Sequence, residues 1–127
     1  MDNEVNTLLR DFMLYPQMTA AVQRSLDDLE RATGVLNRLY SASGSYIMRK
    51  ITDDLRENRL ALNSAGLRIT RAAELSGLIH VEFTRKGRAE PEVYAVAHEV
   101  LREEMRARMA QYIAAFGSVL GAEEQRK

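Results

Sequence analysis

The run Leu78-Ile79-His80-Val81-Glu82-Phe83-Thr84 constrains this chain more than any other stretch. Its apolar residues recur at every second position, with Ile79, Val81 and Phe83 on one side and His80, Glu82 and Thr84 on the other; a helix cannot gather that spacing onto one face. A half-buried strand is predicted, supported by the β-branched and aromatic content of the run. One strand leaves its backbone polar groups unpaired, so a partner is required. Glu92 to Ala97 supplies it through the connection Arg85 to Pro91. A competing reading starts a helix at Glu90-Pro91-Glu92, where proline in the first turn and nearby acids both fit, and runs it to Phe116. The hairpin reading is adopted.

Helical spacing surrounds the hairpin. Val5, Leu8, Leu9, Phe12 and Met13 form a narrow stripe that Tyr15-Pro16 is expected to end, because proline lacks the backbone donor and disfavours a helical residue before it. Val22, Leu26, Leu29, Thr33, Leu36 and Tyr40 then step by threes and fours along a second helix of about six turns. Its seam suits either an intrachain core or half of a dimer interface. Ser41-Ala42-Ser43-Gly44-Ser45 reads as the connection to the next helix. From Ile47, Met48, Ile51 and Leu55 onward there are two readings. One continues a single helix to Ser76, with a poor seam and Gly66 inside it. The other breaks near Leu60 to Ser64 and restarts through Leu67, Ile69, Thr70 and Ala72 to a stop at Ser76-Gly77, and is preferred. His98 onward is helical, with Leu101, Met105, Met109, Tyr112 and Phe116 on a broad stripe to Gly117 and a mobile polar tail beyond.

The expected organisation is one domain. It comprises a docking helix (1–15), a long helix (17–41), a helix-turn-helix plus hairpin (45–97), a C-terminal helix (98–118) and a tail (119–127). The fold class is mainly α with one small β-hairpin, winged-helix-like; the alternative is an all-α antiparallel helical bundle. The 127 residues are 46% apolar and 28% charged, which suits one globular core. There is no cysteine, no signal-like N-terminus and no apolar run of ~18 residues, so a cytoplasmic protein away from membranes is expected. Net charge is zero but unevenly spread: residues 49–88 hold 9 basic against 5 acidic side chains, while each flank is acidic by two. A basic middle is consistent with an anionic partner and also with ordinary solvated charge.

The stretch Asp54 to Ile79 resembles the helix-turn-helix of winged-helix repressors of the MarR and PadR kind. Thr70-Arg71 and Gly77-Leu78-Ile79 match best, followed by a wing-like Val81 to Arg88 and a return strand through Tyr94. The resemblance covers about a third of the chain. It departs from the family pattern in the turn, which lacks a clear glycine, and in carrying Gly66 within the recognition helix. It implies a DNA-binding regulator in which Ser64, Arg68 and Arg71 face the major groove and Arg85, Lys86 and Arg88 reach phosphates.

Nothing in the sequence builds a catalytic or metal site. His80 and His98 sit on different elements, and the pairs Asp27-Asp28, Asp53-Asp54 and Glu103-Glu104 diverge by about 100° around a helix. Neither a cofactor nor a metal is expected, and no enzyme. The leading expectation is therefore a small transcriptional regulator that binds duplex DNA as a homodimer. Its rival is a non-enzymatic helical adaptor or assembly protein that binds itself or another protein. In both, Val22, Leu26, Leu29, Leu36, Met105, Met109 and Tyr112 are the candidate oligomer interface.

Overall fold

The computed structural model describes residues 2–31 and 37–125. Helices α1 (Asp2–Arg31) and α2 (Asn37–Ser64) precede strands β1 (Leu67–Leu75), β2 (Leu78–Arg85) and β3 (Glu92–Ala97), and α3 (His98–Gln125) follows. The strands form an antiparallel sheet in the order β1-β2-β3. The fold is mainly α with a small β region, and the expected hairpin is its β2-β3 pair, with Phe83 opposite Glu92 and Leu78 opposite Ala97.

Four sequence expectations about the elements are corrected. Pro16 lies inside α1, so the docking helix and most of the long helix are one element. A proline in a helix interior costs about 3 kcal/mol. Leu14, Tyr15, Met18 and Val22 on either side of it are all buried, and each buried apolar side chain stabilises by roughly 1.5–3 kcal/mol, so burial outweighs the lost hydrogen bond. Ser41 to Ser45 is likewise not a connection; it lies within α2, and the connection falls outside the described residues. Gly44 sits beside Leu26: a Cβ on it would stand 2.6 Å from Leu26 Cδ2, the movable end of that side chain.

The third correction is the largest. Residues 67–75, expected as a recognition helix, are strand β1, and no helix-turn-helix forms over 54–77. Gly66 is the physical reason. It sits at φ 73°, its N–H donates to Asn63 O at 3.0 Å, and it ends α2 as a left-handed C-terminal glycine. Beyond it the β1-β2 register slips between Ile69 and Arg71, a bulge that places Thr70 out of the ladder; the Thr70 hydroxyl donates instead to Glu82 O at 3.2 Å. That extra residue turns the apolar spacing from 67, 69 to 72, which reads as helical. Lastly, α3 passes Gly117 and continues to Gln125, replacing most of the expected tail.

α1 and α2 form an antiparallel hairpin, as the meetings of Leu26 with Gly44 and of Leu8 with Asn58 require. The core lies between this hairpin, α3 and one face of the sheet: Leu9, Leu14, Met18, Ile51, Val81 and Leu101 are almost wholly buried. Ile79, Val81 and Phe83 all point into it, as their alternation predicts. Because Gly44 lies at a close helix approach, Gly44→Val should lower the urea midpoint by about 2 kcal/mol of stability. Combined with Leu26→Ala, which empties the opposing space, it should cost clearly less than the sum of the two single changes.

Candidate functional site

Two adjoining surfaces and one part-buried network hold the residues with chemical potential. The first surface is the end of the sheet next to the α2 C-terminus. The Lys86 N–H donates to Gly66 O at 2.8 Å, tying the β2-β3 turn to the residue that ends α2, and Arg88 N–H donates to Arg85 O at 3.0 Å within that turn. Gly87 at φ 84° lets the chain reverse there. Ser64, Lys86 and Arg88 are thereby exposed at one end, and Arg68, opposite Thr84, adjoins them. Arg71 stands on the same sheet face opposite Glu82. Five of the six residues expected to bind DNA are thus exposed near one another, although Ser64, Arg68 and Arg71 do not share a helix.

Arg85 is different. Its Nε donates to Glu92 Oε2 at 2.6 Å, and its guanidinium lies 5.7 Å from the Phe83 ring centroid. It is held inside the hairpin and serves the fold more than a partner. Glu82, Glu90 and Glu92 dilute the remaining positive charge of this end.

The second surface is the outer face of the sheet. Residues directly opposite in a ladder share a face, so the side of β2 away from the core carries four cross-strand rows. These are Arg68 with Thr84; Arg71, Glu82 and Val93; Ala73, His80 and Ala95; and Leu75, Leu78 and Ala97. Leu75, Leu78 and Val93 are 67%, 46% and 61% exposed. Apolar side chains of that size grouped on one flat face with arginine beside them have the composition of a contact surface. Sequence reasoning missed this face, since it placed Leu75 on a helix; the signal was the apolar pair Leu75 and Leu78 on either side of Ser76-Gly77.

The expected oligomer-interface residues are mostly turned inward. Val22 is buried, Leu26 packs at Gly44, and Met105, Met109 and Tyr112 pack against the core. The Leu29 side chain and Leu36 lie outside the described residues.

A polar network pins the three helices together. Arg108 of α3 donates through Nη2 to Asp11 Oδ1 at 2.9 Å and through Nη1 to the Tyr15 hydroxyl at 3.0 Å, both on α1. Tyr112 donates its hydroxyl to Asp54 Oδ2 on α2. Asn58, 5% exposed, donates to Leu8 O at 3.0 Å, while its Oδ1 has no partner among the described residues. Burial pushes the Asp11 carboxyl above its ordinary value against the pull of Arg108. Burial, and then the bond to Asp54, raise the Tyr112 phenol; burial also raises Tyr15. These groups fix helix positions, because each hydrogen bond joins two different elements.

Among the described residues no group of three or more His, Asp or Glu side chains is placed to hold a metal ion, and no helix is long and apolar enough to cross a membrane. A family model described as YhjD protein matches residues 1–116, most of the chain. The chain belongs to the YhjD protein family. No curated protein and no solved structure matches this YhjD family member.

The raised tyrosines set an alkaline limit in this YhjD chain. The Tyr112 phenol ordinarily ionises near 10.0 and is held protonated by the fold, so its contribution is intact below that value and is lost as pH rises above it. The urea midpoint should therefore fall as pH rises past 10, and fall less steeply in Tyr112→Phe. Equal slopes in the two proteins would remove Tyr112 from the account.

Proposed function

We propose that this chain is a non-catalytic assembly protein that associates with a second copy of itself through the outer face of its sheet. The supporting observation is the uncovered row of Leu75, Leu78 and Ala97 together with Val93, on a face that also carries Arg68, Arg71 and Glu82. The arrangement suits self-association. A two-fold axis across the strands, between the His80 and Glu82 rows, brings Glu82 of each copy over His80 of the other and lays the aliphatic stems of Arg68 near Leu75 and Leu78. Two such faces pack about 10 Å apart. With equal numbers of basic and acidic side chains the copies carry no net charge to repel one another.

Sedimentation equilibrium at concentrations up to about 100 µM should give the mass of two chains, and Leu78→Glu should give one, with an unchanged far-UV spectrum. A wild-type mass of one chain across that range would dismiss the proposal.

A second reading keeps duplex DNA as the partner, without a recognition helix. It is favoured by the gathering of Ser64, Arg68, Arg71, Lys86 and Arg88 at one end of the sheet, where a β-ribbon could follow phosphates. On this reading, affinity for mixed duplex DNA falls linearly on a log-log plot against salt, and Lys86→Ala with Arg88→Ala reduces the slope by about two. Absence of binding at low salt would leave these cations as solvated surface.

A further inference from the structure

On the helix side of the sheet, α1, the start of α3 and the end of β1 border an open cleft of about 340 Å³, lined by Gln17, Arg24, Glu74, His98, Arg102 and Met105 among others. Gln17 and Arg24 are seven positions apart on α1, and His98, Arg102 and Met105 step by four and three along α3. Both sets therefore lie on single helical faces, turned to the same space. Arg24 has no hydrogen-bonding or ion-pair partner among the described residues. Arg102 Nη2 lies 3.4 Å from His98 Nδ1, its one hydrogen-bonding partner among the described residues.

Glu74 is the one carboxylate on the wall. Its Oε1 stands 4.0 Å from His98 Nε2, so it is placed against the imidazole and pairs with neither guanidinium. The cleft thus sets two guanidiniums from different helices against a single acid that is directed elsewhere. His98 also opens α3, and its N–H donates to Gly77 O at 2.9 Å. The next N–H groups of that first turn lack acceptors in the helix, which adds partial positive charge at the same wall, opposed in part by Glu99 of that turn.

Two like charges brought to one recess raise each other's energy unless an anion lies between them, and a recess focuses the potential. We propose that this cleft binds a small oxyanion, a phosphate ester or a dicarboxylate, held between Arg24 and Arg102 with the Gln17 side-chain amide as a further donor. The planar guanidinium fork fits either group, since both offer paired oxygens at matching separation. The volume accommodates more than a bare ion and leaves room for a short carbon skeleton beside Met105. This site is independent of the sheet face, and a single-chain protein would retain it.

The test is calorimetric titration of the full chain with inorganic phosphate and, separately, with succinate, at matched ionic strength. Wild type should bind at least one of them with a dissociation constant of about 1 mM or below. Arg24→Gln and Arg102→Gln should each weaken binding by about tenfold, whereas Arg56→Gln, an exposed arginine on α2, should leave it within about twofold. Binding of phosphate alone assigns a phosphate ligand, binding of succinate alone a carboxylate, and both support the site. Loss of affinity in Arg56→Gln as large as in the cleft variants would reduce the effect to general surface charge and overturn the proposal. Equal affinity in all four proteins, or no heat with either probe, would do the same. Both cleft arginines are exposed, so folding should survive; far-UV spectra check this.

Discussion

The architecture depends on the burial of one strand face beneath helices that come from both ends of the chain. Ile79, Val81 and Phe83 point from β2 into the space where Leu9, Met13 and Met18 of α1, Ile51 of α2 and Leu101 of α3 also converge. β2 is the central strand, so its backbone is paired on both sides and its inner side chains cannot be withdrawn without opening the whole sheet. The polar contacts of Arg108, Tyr112 and Asn58 lie around this apolar centre. They contribute less to the energy of collapse than to its geometry, because each works only at one relative placement of two helices.

The parts that were legible in the sequence are those where a single period governs. The alternation of β2, its return strand and the long apolar stripe of α3 all came through. What was not legible depends on tertiary partners. Tyr15-Pro16 has the local chemistry of a helix end, and only the burial of Leu14 and Met18 on either side keeps the helix running. Ser41 to Ser45 has the composition of a loop, and it lies inside a helix that packs on α1 where Gly44 meets Leu26. In β1 the bulge at Thr70 breaks the period of two, so the apolar positions 67, 69 and 72 step by two and then by three. Gly66 was visible, but as an oddity inside a helix when it is the residue that stops one.

The candidate surfaces follow the same division. Arg68 and Arg71, expected on a helix with Ser64, stand on strand β1 and come near Lys86 and Arg88 through the sheet register and the Gly66 to Lys86 contact. The apolar outer face was invisible because sequence alternation cannot say which side of a strand lacks a cover. The Arg24 and Arg102 cleft was invisible for a different reason. Nothing in the spacing of α1 and α3 taken singly indicates that their basic positions share a recess.

The bulge at Thr70 has a consequence for growth of the sheet. β1 is an edge strand, and a straight edge with free N–H and C=O groups invites a further strand from another molecule. Here the kink displaces those groups from a regular line midway along the edge, between the long cations Arg68 and Arg71. Hydrogen-bonded extension into a continuous ribbon is thereby disfavoured at this edge. On the proposed reading, association through the broad side of the sheet would be closed and finite, and would not use the β1 edge.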